Sequence, residues 1–204
     1  DALVAAVGQQ HRQAAFLQGH VGVAVPHTVD VGGTQFYAPS RYTALGIGAG
    51  GQMHGLVVLD KNDTVIRPCI LWNDGRTQRQ VDYLNGVIGK DKLSCYTANI
   101  AFAGFTAPKL LWMRENEPDN FARIEKIMLP KDYINYKLTG VHCTDYSDAS
   151  GMLLLDVEHK CWSKEMLDIC GVQESKLPKL FESWQPAVSY THLRAHETAA
   201  NLVC

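Results

Sequence analysis

Two short runs hold most of the residues able to do chemistry. In the first, Gly48-Ala49-Gly50-Gly51-Gln52-Met53-His54-Gly55, an amide and an imidazole follow glycines that let a backbone turn sharply and come close to a ligand. Gln52 and His54 can each donate to and accept from hydroxyls, as recognition of a polyol or sugar requires. The plainer reading of this run is a tight turn with a histidine satisfied in the core. The second run is Arg67-Pro68-Cys69-Ile70-Leu71-Trp72-Asn73-Asp74-Gly75-Arg76, where an indole stands beside an amide, a carboxylate and a guanidinium. Such a ring packs on C–H faces while its polar neighbours take hydroxyls. A buried Trp72, with an Asp74–Arg76 pair holding a turn and capping the next helix, fits the same residues.

Other runs are less specific. Thr144-Asp145-Tyr146-Ser147-Asp148-Ala149-Ser150-Gly151 reads either as a polar loop lining a cleft or as two side-chain-closed turns before a strand. Asp30-Val31-Gly32-Gly33-Thr34 resembles the acidic, glycine-rich phosphate loop that opens the actin-like and sugar-kinase ATPases. Only 16 residues separate Thr34 from Gly51, however, too few for the strands and helix that should intervene. His192 and His196 stand at i, i+4 beside Glu197, but without the third ligand and intervening base of a zinc-protease motif.

The elements that must position these residues alternate in type. Residues 44–48 read as a buried strand leading into the first run. A second strand over 56–60 turns at Lys61-Asn62-Asp63-Thr64 into 65–66 as a hairpin. A short amphipathic helix is expected over 78–85, stopped by Gly86. A Thr106 hydroxyl cap and Pro108 open a helix that runs over 109–116 and closes before Pro118. Strand 127–129 feeds a helix over 131–138 with Gly140 at its end; residues 152–157 read as a strand; Ser163 caps a helix over 164–170 that Gly171 ends. Alternating strands and helices make the class α/β. Residues 1–43 and 187–204 do not continue this pattern, so the expected organisation is an atypical, non-native opening segment, a partial domain over 44–186 and a non-native tail.

Composition narrows the classes of function. Of 204 residues, 46% are hydrophobic and 20% charged, enough apolar residues for a packed core. The 19 Lys+Arg against 21 Asp+Glu give a formal charge of −2, which argues against a nucleic-acid binder or a polybasic membrane module. Apolar runs such as 56–59 and 152–155 fall far short of the roughly 20 residues that cross a bilayer. Six scattered cysteines without a C-x-x-C pair read as reduced thiols of a cytoplasmic protein.

Taken together, the runs resemble the FGGY family of carbohydrate kinases. The matching pieces are Gly51-Gln52-Met53-His54-Gly55, residues 67–77, residues 104–116, Leu129-Pro130-Lys131-Asp132-Tyr133, Leu138-Thr139-Gly140 and Ser147-Asp148-Ala149-Ser150-Gly151. They occur in the family's order and spacing. Within the family, Gln-Met-His-Gly points to the xylulose-phosphorylating branch, since the glycerol kinases carry an Arg-Glu pair there.

The resemblance implies an actin-like, ribonuclease-H-like amino-terminal domain, incomplete here, whose activity is ATP-dependent phosphorylation of a ketopentose, D-xylulose to D-xylulose 5-phosphate. A kinase for another sugar or polyol such as ribulose, or a non-catalytic sugar-binding remnant, is the alternative. Met53 and His54 match the ketose-contacting pair, Trp72 the aromatic against the substrate's carbon chain, and Asp74 and Arg76 a polar pair near that pocket. Lys109, Asp132 and Asp148 match family positions without an assigned role. ATP and Mg²⁺ belong mainly to a second, carboxyl-terminal kinase domain, and the catalytic aspartate lies in a Gly-Gly-Asp-Asn-type run not found before Cys204. The resemblance therefore predicts a chain that recognises sugar, binds neither nucleotide nor metal tightly, and turns over negligibly by itself.

Overall fold

The computed structural model describes residues 28–31, 34–37, 46–48, 51–189 and 201–203. β-Branched residues suit extended backbone, and Thr28, Val29, Val31 and Thr34 lie in two strands, β1 (Thr28–Val31) and β2 (Thr34–Tyr37), paired antiparallel with Val31 opposite Thr34. The phosphate-loop-like run thus spans a hairpin, with Gly32 and Gly33 outside the described residues. His192 and His196 also lie outside them. Of the expected strand over 44–48, β3 (Gly46–Gly48) is described.

Strand β4 (Val57–Leu59) is apolar on both faces and therefore lies between two layers. Leu56 and Val58 join the main core, while Val57 and Leu59 pack with Met128 in a smaller cluster on the other face, covered by Cys69, Tyr133 and Tyr136. The expected hairpin survives as a single bridge, Leu59 to Val65, beside the Ile66 N–H to Val58 O bond. Asp60 closes the end of the strand: Oδ1 accepts from the Asn62 and Thr64 N–H groups at 2.9 and 3.1 Å, and Oδ2 takes Arg123 at 3.2 Å.

Beyond a 3₁₀ turn at Gly75–Thr77, helix α1 (Gln78–Asp82) does not stop at Gly86. It passes through a π-helical turn, Tyr83–Gly89, into α2 (Lys90–Thr97). Such wide turns absorb an extra residue without ending the helix. The Asn85 side chain there bonds Ala101 twice, donating to its carbonyl and accepting from its N–H, which secures the loop leading to residues 102–105.

Helix α3 (Thr106–Asn116) buries Thr106 through Leu111 and Met113, and packs against α1, α4 (Pro118–Ala122) and, further along the chain, α7 (Lys164–Cys170). A helix apolar nearly all round belongs in a core. Its cap differs from expectation. Phe105 is the N-cap and its phenyl ring has no acceptor for a cap bond, while the Thr106 hydroxyl, inside the helix, donates to the His54 carbonyl.

Strand β5 (Lys126–Met128) pairs antiparallel with β4 and leads into α5 (Pro130–Thr139), ended by left-handed Gly140. Strand β6 (Cys143–Asp145), helix α6 (Tyr146–Ser150), and the short strands β7 (Leu155–Asp156) and β8 (Cys161–Trp162) follow. The strand expected over 152–157 is therefore mostly turn, with Leu153 at φ 59°. Burial of Met152, Leu153 and Leu154 explains the apolar run without a ladder, since a short apolar run has no periodicity to separate the two states. Ser163 caps α7 as expected, its Oγ accepting from Met166 N–H at 3.4 Å. Strand β9 (Lys179–Phe181) runs parallel to β6. Strands β10 (Pro186–Ser189) and β11 (Asn201–Val203) pair with each other, and β11 runs parallel to β3. Among the described residues, no disulfide forms and no helix is long and apolar enough to cross a membrane.

Candidate functional site

The turn ahead of β4 is three residues long. Gly55 N–H donates to Met53 O at 2.8 Å, and His54 between them has φ 63°. A turn of this kind is rare and strained for a residue with a side chain. It persists where the surroundings over-determine it, and here they hold it from two sides. The imidazole Nδ1 lies 2.8 Å from Gly151 O, and the ring sits 4.7 Å from the Phe105 ring, tilted 43°. The His54 carbonyl accepts from Lys109 Nζ at 2.7 Å and from Thr106 Oγ1 at 3.2 Å.

A carbonyl can only accept, so Nδ1 carries the hydrogen and a neutral ring keeps its lone pair on Nε2. Burial lowers the His54 pKa; the Gly151 bond opposes that effect, and the Lys109 ammonium adds to it. The ring is then neutral near pH 7, with Nε2 an acceptor for a hydroxyl. The imidazole can hold this place only because residue 151 is glycine, since a Cβ there would lie 2.3 Å from His54 Cε1 and 2.5 Å from Nδ1 and would displace the ring.

Gly151 is itself anchored by a buried polar network. Asp145 caps α6, its Oδ1 accepting from Asp148 N–H at 3.0 Å. Lys131 Nζ reaches Asp132 at 2.8 Å, Asp145 at 2.8 Å and Asp148 at 3.3 Å, tying α5, β6 and α6 together. Burial alone would lower the Lys131 pKa, but the carboxylates hold it above the ordinary lysine value. These carboxylates do not fit Mg²⁺, because the lysine ammonium occupies the place a divalent cation would take. Among the described residues, no His, Cys, Asp and Glu group is arranged to hold a metal.

Trp72 is 55% exposed and Met53 46%, so Trp72 is not the buried indole of the plainer reading. The turn carrying Trp72 rests on the loop that also touches His54: a Cβ on Gly104 would stand 2.8 Å from Trp72 O. The exposed Phe102 meets Phe105 edge-on at 5.4 Å. His54 and Trp72 thus stand on separate turns with residues 102–105 as common backing.

Asp74 and Arg76 follow the plainer reading of their motif. Asp74 Oδ1 accepts the Arg76 N–H at 3.0 Å, capping the 3₁₀ turn, while Arg76 Nε reaches both carboxylate oxygens at 2.9 Å. The Arg76 hydrogen bond holds the carboxylate pKa below its ordinary value. Arg76 also lies over the Trp112 ring, 4.8 Å from its centroid. The pair shapes the turn on which Trp72 stands.

The residues that hold the site are those with no role in the motif reading: Phe105, Lys109 and Gly151. A lysine beside Leu110, Leu111 and Met113 was the signal for one of them, since a charged group kept among core residues is rarely idle.

Comparison with known proteins shows the family of the chain. Residues 39–201 match the N-terminal domain of the FGGY family of carbohydrate kinases. A xylulose kinase of Lactococcus lactis is 51% identical over 138 residues, 68% of this chain and 27% of the relative; one of Staphylococcus xylosus is 45% identical over 158 residues, 76% and 33% respectively. The crystal structure of a xyloylose kinase from Brucella ovis superposes with a TM-score of 0.70 at 41% identity, covering 79% of this chain and 33% of that one. The chain thus spans about a third or less of the length of these relatives. Its match to the family model and its likeness to these enzymes show that it belongs to the FGGY carbohydrate kinases, as part of their N-terminal, actin-like domain.

Proposed function

We propose that this chain is the sugar-recognition part of an ATP-dependent kinase that converts D-xylulose to D-xylulose 5-phosphate. The observation that carries the reading is His54, fixed on a strained turn with Nδ1 donating to Gly151 and Nε2 left as an acceptor. The exposed indole of Trp72, on a turn sharing the same backing loop, offers a face for the C–H side of a ketose. The names of the relatives support xylulose as the sugar.

In this reading, the chain binds and orients. His54 Nε2 accepts a hydroxyl hydrogen, and the sugar is held still while its terminal hydroxyl waits for the nucleotide. Positioning of this kind lowers the barrier by removing orientational freedom in advance. The described carboxylates near the site are engaged: Asp74 with Arg76, and Asp132, Asp145 and Asp148 with Lys131. We therefore assign the proton acceptor, with ATP and Mg²⁺, to a second domain of the whole enzyme.

Titration calorimetry and NMR of the chain with D-xylulose, D-ribulose and glycerol test the assignment. D-Xylulose is expected to bind tightest and to shift the His54 Cε1–H signal. Tighter binding of D-ribulose or glycerol, or a binding signal that bypasses His54, overturns it.

A further inference from the structure

We propose that Lys109 is a positioning residue for the sugar site, its ammonium fastening the turn that presents His54 to the loop that backs Trp72. This rests on the sugar-site reading above. Lys109 is fully buried in the first half of α3, and Nζ donates to His54 O at 2.7 Å and Gly104 O at 2.5 Å. Among the described residues, it makes no ion pair with a carboxylate.

An ammonium buried on carbonyls alone is costly to keep. Burial brings its pKa down to about 8, against smaller opposing effects of Cys69 and Asp74. A packing role in this helix would be filled as well by Leu or Met, as it is at Leu110, Leu111 and Met113. What neither Leu nor Met can supply is simultaneous donation to two carbonyls from distant parts of the chain.

Both carbonyls matter to the site. One belongs to His54 itself, where φ 63° sets the direction of the imidazole. The other belongs to Gly104, next to the Phe105 ring that lies against His54, and itself against Trp72 O. One ammonium thereby fixes the imidazole, its ring neighbour and the floor beneath the indole.

The test compares Lys109→Met with Leu111→Ala, a buried change on the same helix that removes no hydrogen bond to either carbonyl. Lys109→Met is expected to weaken D-xylulose binding at least tenfold and to move the His54 Nδ1–H and Cε1–H signals in the ligand-free chain. Leu111→Ala is expected to lower Tm while sparing both. The proposal is overturned if Lys109→Met leaves the His54 signals and affinity unchanged, or if Leu111→Ala reproduces both losses.

Should Lys109→Met fail to fold, a pH titration of the wild-type chain decides. The Lys109 and His54 signals should share one alkaline inflection; independent behaviour refutes the coupling. The groups facing Lys109 are Cys69, Asp74 and His54, and Asp148 faces His54; burial pushes the Cys69 thiol above its ordinary range. A wild-type chain that ignores D-xylulose sinks the substrate assignment, whereas the His54 signals in Lys109→Met still judge the clamp.

Discussion

Replacing Gly151 by alanine separates ring placement from folding. Gly151 has φ −81° and ψ −2°, a conformation alanine adopts freely. The change should therefore gain about 0.4–1 kcal/mol by restricting the unfolded chain. Against that, the new Cβ would stand 2.3 Å from His54 Cε1, far inside contact distance, and the ring is the part able to yield. Its retreat breaks the Nδ1–H bond to Gly151 O, about 0.5–1.5 kcal/mol, and loosens the Phe105 contact, at most another ~1 kcal/mol. Net stability should fall by about 1 kcal/mol, a small shift in Tm. Sugar affinity should fall about tenfold, because a misplaced Nε2 loses about 1.4 kcal/mol of hydrogen bonding to a hydroxyl. Scanning calorimetry and titration calorimetry with D-xylulose measure the two effects. Gly151→Ala with wild-type affinity and unmoved His54 resonances would refute the reasoning.

Three further outcomes follow from the same geometry. Trp72→Ala should change stability by no more than about 0.5 kcal/mol, since the side chain is exposed, yet weaken D-xylulose binding about threefold to tenfold, as read by calorimetry. The His54 pKa is lowered in the folded chain, so the unfolded chain takes up its proton first as pH falls. His54 therefore contributes stability above pH 6.5 that is lost as pH drops through its folded pKa. Sugar binding fades in the same window as Nε2 becomes a donor, and a chain in which His54→Gln leaves both pH profiles unchanged would contradict this. Lys131→Met leaves Asp132, Asp145 and Asp148 without their cation and should cost about 3–5 kcal/mol, enough to abolish cooperative melting.

The motifs were legible as motifs. Strand β5, helices α5 and α7 and the glycines that end them follow from local signals, a cap or a left-handed stop, which act within a few residues. The site was legible only in outline. That His54 and Trp72 stand on turns backed by one loop depends on contacts far apart in sequence, Trp72 to Gly104 for one turn and His54 to Gly151 and to Lys109 for the other. Local reasoning also misjudged two positions. Thr106 looked like a cap because its spacing before the helix is right, but it lies inside the helix, where its hydroxyl donates to the His54 carbonyl. Gly86 looked like a stop, whereas the π-helical turn and the Asn85 clasp on Ala101 carry the helix past it.

Strand β4, apolar on both sides, has a consequence for how accurately His54 is delivered to Gly151. Sliding it one residue along β5 would exchange one pair of aliphatic side chains for another, so the greasy pattern alone would not resist a slip. Asp60 is the brake: the shift that draws it into the fully enclosed slot of Leu59 would strip a carboxylate of water and of its Asn62, Thr64 and Arg123 partners. An acid at one end of the strand thus sets the height of the imidazole at the other, and Asp60→Leu, remote from any ligand, should blur sugar recognition by loosening that alignment.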